Sequence, residues 1–101
     1  MTIEEFLGAC QKAEPPESLP DPLRALFWDA RGDWDRAHAV AQATHTATGS
    51  LVHAYLHRKE GDPSNARYWY DRAGRPPHGG ALDEEWRAIV RELCEQTRGA
   101  P

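Results

Sequence analysis

The chain has 101 residues, of which 40% are hydrophobic and 28% charged, and it carries a net charge of -4. This length and composition predict one globular domain over residues 1–101. The lack of a basic excess argues against general nucleic-acid binding. The apolar runs are too short to cross a membrane, and the N-terminus lacks the pattern of a secretory signal. We therefore expect a cytoplasmic protein without a membrane partner.

The first predicted element is a helix over about residues 2–12. Thr2 and Glu5 have the spacing of a capping box, which satisfies two backbone N–H groups at a helix start. Apolar residues then recur at helical spacing. The prolines within residues 15–20 exclude helix there, because proline lacks a backbone donor and restricts the residue before it.

Two helix–turn–helix units are predicted in the middle of the chain, over about residues 21–45 and 50–74. Each has a Gly-Asp pair at its turn, and these pairs begin at Gly32 and Gly61. Glycine tolerates the left-handed conformation that ends a helix, and aspartate caps the next one. This pattern favours two helices per unit.

A loop over residues 46–49 is predicted to join the units, with Ser50 as the cap of the following helix. A last helix is expected over about residues 83–97, because Trp86, Ile89 and Val90 begin an apolar stripe at helical spacing. No segment alternates as a strand would, so the predicted fold class is all-α.

The two central units are similar to each other at an offset of 29 residues. Besides the Gly-Asp turns, this offset pairs Ala25 with Ala54, Ala37 with Ala66, and Phe27 with Leu56. The pattern resembles tetratricopeptide and Sel-like repeats, and the string from Ala66 to Ala73 is especially similar to the second helix of a Sel-like unit. The whole chain also has the character of a small bacterial family with this repeat pair. The resemblance implies two stacked helical hairpins, completed by the terminal helices, with a shallow groove for a peptide or partner protein.

Six large apolar residues are expected to be buried on the helix stripes: Phe27, Leu56, Trp69, Tyr70, Trp86 and Ile89. Cys10 and Cys94 also lie on apolar faces. Two buried, reduced thiols are the favoured interpretation, and a disulfide between the terminal helices is the alternative.

Histidine is the residue type with the most suggestive spacing. His53 and His57 are four residues apart on one helix face, which Glu60 extends by about a turn. This set could bind a metal ion, with Asn65, Tyr68 or His38 as a third ligand, or could act in acid–base chemistry. Alternatively the histidines have a structural role. We expect a mixed arrangement, in which His57 is a partly buried structural residue and His53 is more exposed.

The second unit also carries exposed-looking aromatic and basic residues. Adjacent helical residues point about 100° apart, so Tyr68 is expected to be at least partly exposed beside Trp69 and Tyr70. The unit's cations form a candidate basic patch for an acidic peptide or a small anion: Arg58, Lys59, Arg67, Arg72 and Arg75.

No phosphate-binding glycine loop or nucleophile motif is present in the sequence. The leading hypothesis is therefore a non-catalytic interaction module that binds a protein or peptide, without a cofactor. Its predicted partner-binding residues are His53, His57, Arg58, Asn65 and Tyr68. The first alternative is a small metal-binding protein or enzyme that uses His53, His57 and Glu60. The second is a structural subunit that forms a homodimer through Trp28 or Tyr68.

Overall fold

A computed structural model describes residues 1–98, with side chains described through residue 96. Within this range there are six helices and no strand, so the all-α prediction is confirmed. The helices are α1 (Ile3–Ala9), α2 (Asp21–Ala30), α3 (Trp34–Ala43), α4 (Ala47–Lys59), α5 (Pro63–Ala73) and α6 (Leu82–Arg98).

The start of α1 has the predicted capping box. The Thr2 hydroxyl accepts a hydrogen bond from the backbone of Glu5 at 3.1 Å, and the Glu5 carboxylate accepts one from the backbone of Thr2 at 2.9 Å. The helix is shorter than the predicted range of about 2–12, because Cys10 caps its C-terminus and the next residues form turns.

The two Gly-Asp turns have the same local geometry. Gly32 and Gly61 have φ angles of 80° and 88°, in the left-handed region that glycine adopts without strain. In each turn the following aspartate caps the next helix, since Asp33 accepts from the backbone of Arg36 and Asp62 accepts from that of Asn65. Sequence signals therefore predicted both turns correctly, while membership of a repeat family stays a prediction.

The predicted loop over residues 46–49 is wrong, because α4 begins at Ala47. Thr46 caps it, and its hydroxyl accepts a hydrogen bond from the backbone of Gly49 at 3.0 Å. Gly49 is a buried helical residue that packs against the backbone and side chain of Thr44. A glycine that suggested a loop in the sequence thus allows a close approach between α4 and the end of α3.

Replacing Gly49 by alanine is expected to destabilise the fold by about 1–3 kcal/mol, the usual cost of overpacking. An added Cβ would overlap the Thr44 carbonyl oxygen and lie 2.9 Å from the Thr44 Cβ. The change would be measured by urea denaturation, with Gly8→Ala in α1 as the control, because a Cβ there meets nothing within 4 Å. Helix propensity alone favours alanine at both sites, so equal stabilisation of the two variants would contradict the close approach.

Helix α4 lies at the centre of the fold and packs against α2, α3, α5 and α6. Leu51, Val52, Tyr55 and Leu56 on this helix are all buried. The other helices cover it with further buried apolar side chains, among them Phe6, Leu23, Leu26, Phe27, Ala37, Ala41, Ala66, Tyr70, Ile89 and Val90. The predicted burial of Phe27, Leu56, Tyr70 and Ile89 is confirmed.

Two tryptophans are less buried than predicted. Trp69 and Trp86 are both half-buried at the edge of the core. The indole nitrogen of Trp86 donates to the carbonyl of Leu26 at 3.3 Å, while its ring packs near Phe6. An indole commonly keeps its polar edge at the rim of a core, and apolar spacing alone does not reveal this.

The two cysteines are unpaired in the structure. Cys94 is buried as expected, whereas Cys10 is only half-buried. Burial raises the pKa of both thiols, that of Cys10 to about 11. Both are therefore protonated, unreactive side chains at neutral pH.

Candidate functional site

Three histidines meet where α3 packs against α4, and we call them the histidine cluster: His38, His53 and His57. His53 and His57 are one turn apart on α4, with ring centroids separated by 4.7 Å. His38 on α3 comes within hydrogen-bond distance of His53, with 3.0 Å between their Nε2 atoms. One ring nitrogen from each histidine lies within 4.8 Å of the others.

Small residues allow the two helices to bring the imidazoles together. Ala37 and Ala41 on α3 and Ala54 on α4 are almost completely buried. Because an alanine side chain extends little beyond the backbone, longer side chains elsewhere on the same helices can meet across the contact. His38 was one of three candidates for a third ligand in the sequence, and the structure places it in the cluster.

Two tryptophans stack on members of the histidine cluster. Trp34 stacks on His38 with a centroid distance of 4.8 Å, and its indole nitrogen donates to the Leu56 carbonyl at 2.9 Å. Trp69 stacks on His53 at 3.9 Å with an interplanar angle of 17°. The half-buried Trp69 therefore contacts His53 as well as the edge of the apolar core.

Both histidines on α4 are buried, so the expectation that His53 is the more exposed is wrong. His53 is 2% exposed and His57 is 6% exposed. Burial, together with repulsion from His38 and His57, lowers the pKa of His53 to about 4. The pKa of His38 is also lowered, chiefly by burial and then by His57. His38 and His53 are therefore neutral at physiological pH.

The Nδ1 atom of His53 is buried without a hydrogen-bond partner. Buried polar atoms in folded proteins almost always have a partner, and leaving one unpaired has a free-energy cost. A buried, unpaired nitrogen on one of three clustered imidazoles favours a binding site for a ligand at the histidine cluster.

A carboxylate and an amide contact the outer side of His57. Glu60 Oε1 lies 3.1 Å from His57 Nδ1, and the side-chain nitrogen of Asn65 lies 3.4 Å from both nitrogens of the ring. Asp62 is also near, so His57, Glu60 and Asp62 form a second group with metal-ligand atoms within 4.8 Å of one another. The Gly61 turn brings this group together.

Most of the predicted basic patch has partners within the protein. Arg58 binds the buried Glu85 at 2.9 Å and donates to the carbonyl of Gly80. Lys59 binds the buried Asp29 at 2.8 Å, and Arg75 pairs with Glu92. Arg58 and Lys59 therefore link α4 to α6 and to α2, and Arg75 links the segment after α5 to α6.

The buried carboxylates belong to two networks that sequence analysis missed. Asp29 also accepts a hydrogen bond from the Tyr55 hydroxyl at 2.9 Å. Glu85 accepts one from the Tyr70 hydroxyl. Burial and the nearby carboxylates raise the pKa of both tyrosines. Glu85 and Arg58 are 27 residues apart in the sequence, so their pairing leaves no local signal.

The five predicted partner-binding residues differ in their exposure to solvent. His53 and His57 are buried, Asn65 is half-buried beside them, and Arg58 is bound to Glu85. Tyr68 is 52% exposed, as expected, and the Arg72 guanidinium lies 5.9 Å from its ring centroid.

Trp28, a candidate for homodimer contact, is buried, with Arg36 stacked over its ring at 4.2 Å. The indole of Trp28 therefore packs inside the fold. Tyr68 is the more accessible of the two aromatic residues proposed for self-association.

The histidine cluster fits the chemistry of a transition-metal site. Neutral imidazole nitrogens are ligands for Zn²⁺, Cu²⁺ and Ni²⁺. Two imidazoles on one tetrahedral zinc have nitrogens about 3.4 Å apart, given Zn–N bonds of about 2.0–2.1 Å. The 3.0 Å separation between His38 and His53 is close to that spacing. The ligand nitrogens of all three histidines lie within 4.8 Å of one another, so a small inward movement of His57 would complete the set.

Comparison with protein-family models, with curated proteins and with solved structures finds no match for this chain. The similarity to tetratricopeptide and Sel-like repeats accordingly stays an expectation from the sequence.

None of the helices over residues 1–98 is both long enough and apolar enough to cross a membrane.

Proposed function

We propose that this protein binds a divalent transition-metal ion, with Zn²⁺ as the reference case, through His38, His53 and His57. The observation that carries the proposal is the convergence of three imidazoles from two helices, with their ligand nitrogens within 4.8 Å. The sequence suggested a metal site formed by His53, His57 and Glu60. In the present proposal His38 is the third ligand, and Glu60 does not contact the metal.

The electrostatics of the cluster support metal binding at neutral pH. A histidine must be neutral to donate a lone pair, and many sites must release protons before a metal can bind. Because the pKa of His53 is about 4 and that of His38 is lowered, these two ligands need release no proton at neutral pH. A metal bound to the Nε2 atoms would replace the contact between His38 and His53.

Metal binding is tested by titrating chelator-treated protein with Zn²⁺ in a calorimeter and with Co²⁺ in an absorption spectrometer. We expect one metal per chain and an intense visible Co²⁺ spectrum typical of tetrahedral nitrogen ligands. Replacing His53 or His38 by alanine should weaken binding by roughly 100-fold or more, beyond the ~10–100-fold typical of an outer-shell partner.

His45→Ala is the matched control, because His45 is an exposed histidine just after α3 and outside the cluster. This variant should bind as tightly as the parent. The proposal fails if the parent protein binds no metal, or if His38→Ala and His53→Ala bind as tightly as His45→Ala does.

A second proposed function is the interaction module, now centred on the exposed face of α5. Tyr68 is the exposed large hydrophobic residue of the described chain, and Arg67 and Arg72 are exposed on the same helix. An exposed tyrosine flanked by arginines is suited to an acidic peptide.

The interaction proposal is tested with a fluorescent glutamate- and aspartate-rich peptide. We expect Tyr68→Ala and Arg72→Ala to weaken binding without changing thermal stability, whereas Arg91→Ala on α6 should have no effect. Equal binding by all three variants would remove α5 as the contact surface.

A further inference from the structure

We infer that Glu60 is a positioning residue that holds the His57 imidazole in the tautomer needed for metal binding. The inference rests on the proposed metal site and goes beyond it, because Glu60 acts through His57 rather than as one of the three ligands. Its basis is the contact of 3.1 Å between Glu60 Oε1 and His57 Nδ1.

The contact determines which nitrogen of His57 carries the proton. A carboxylate can only accept a hydrogen bond, so in neutral His57 the proton lies on Nδ1 and points to Glu60. This tautomer leaves the lone pair on Nε2, 3.4 Å from the Asn65 amide nitrogen, and a metal bound to Nε2 would take the place of that contact. A carboxylate behind a ligating histidine also fixes the ring orientation and makes the nitrogen lone pair a better donor.

The position of Glu60 at the C-terminal end of α4 argues against an ordinary role in helix stability. Glu60 is the C-cap residue, following His57, Arg58 and Lys59 in the last turn. The C-terminus of a helix carries a partial negative charge, so a carboxylate there is unfavourable and a cation is preferred. The favourable contact of Glu60 is with His57, and this contact accounts for an acidic residue at the C-cap.

The surrounding turn holds this arrangement in place. Gly61 adopts a left-handed conformation, and Asp62 caps α5, which brings Asn65 against the same imidazole. His57 is therefore held by side chains from both sides of the turn, so the proposed site depends on the turn between α4 and α5 as well as on the contact between α3 and α4.

The tautomer is measured directly by two-dimensional NMR of metal-free protein labelled with ¹⁵N in the histidine rings, at mildly alkaline pH. We expect His57 in the parent to show a protonated Nδ1 and an unprotonated Nε2. In Glu60→Ala, part of the His57 population should move its proton to Nε2. Glu60→Gln should keep the parent pattern, because its amide oxygen can still accept from Nδ1.

Metal affinity is then compared in the same variants by Zn²⁺ and Co²⁺ titration. Glu60→Ala should bind roughly 10–100-fold more weakly, with an altered Co²⁺ spectrum, and Glu60→Gln should recover most of the affinity. Glu14→Ala is the control for lost negative charge, since Glu14 is exposed in the segment before α2, and it should bind like the parent.

The two readouts separate this inference from the proposed function. If the parent binds no metal, the proposed function fails, and the role of Glu60 in metal binding fails with it even where the NMR tautomer is as expected. If the parent binds metal and Glu60→Ala retains both its affinity and its His57 tautomer, only the positioning role is overturned. A Glu60→Gln protein as weak as Glu60→Ala would also overturn it, because hydrogen-bond acceptance would then not be what His57 requires.

Discussion

Replacing Arg58 by methionine is expected to destabilise the protein by about 3–5 kcal/mol, the usual cost of removing one partner from a buried ion pair. Glu85 is 2% exposed, and its carboxylate binds the Arg58 guanidinium at 2.9 Å. Methionine keeps much of the apolar stem but leaves the buried carboxylate without its cation. The loss would be measured as the change in free energy of unfolding in urea.

Two comparisons make the Arg58 result specific. Arg67→Met changes an exposed arginine for which no ion pair is observed in the described chain, so it should shift stability by no more than about 0.5 kcal/mol. Adding Glu85→Gln to Arg58→Met should recover part of the loss, because the amide is neutral and can still accept from Tyr70. If Arg58→Met unfolds at the same urea concentration as Arg67→Met, the buried pair does not hold α6 against α4.

Much of the fold could be predicted because its signals are local. The capping box at Thr2 and the Gly-Asp turns at Gly32 and Gly61 depend on residues within one turn of each other, and all three were predicted correctly. The loop before Ser50 was wrong because Gly49 has two interpretations in a sequence. Glycine suits a loop, but it also suits a helix that packs closely on its neighbour, and only the position of Thr44 distinguishes these cases.

The candidate site was only partly predictable because its members come from separate helices. The spacing of His53 and His57 showed that they share a face of α4, and their burial and contact with His38 depend on how α3 packs. Trp69 was assigned to the core from its spacing, whereas its ring covers an imidazole. The partners of Arg58 and Lys59 are 27 and 30 residues away, so the sequence suggested a basic patch instead of two internal ion pairs.

The metal-free protein is expected to lose stability when the pH falls from about 6.5 towards 4. The pKa of His53 is lowered in the folded protein from 6.5 to about 4. Between these values the unfolded chain binds a proton that the folded chain does not, so acid favours unfolding. Above pH 6.5 this contribution is constant. At about 1.4 kcal/mol per pKa unit, the loss attributable to His53 is on the order of 3 kcal/mol.

The contribution of the cluster can be isolated by comparing urea denaturation of the parent with that of His53→Gln across this pH range, in the presence of a chelator. Buried carboxylates affect both proteins alike, so the difference between the two curves reports on His53. We expect the parent to lose stability more steeply below pH 6.5, and His45→Gln, which changes an exposed histidine, to follow the parent. Parallel curves for parent and His53→Gln would mean that the imidazole accepts a proton in the folded state without penalty, which would contradict the burial of His53 in the histidine cluster. The lowered pKa of His38 acts in the same direction. The stability of His53→Gln should therefore still fall as the pH falls, but less steeply than that of the parent.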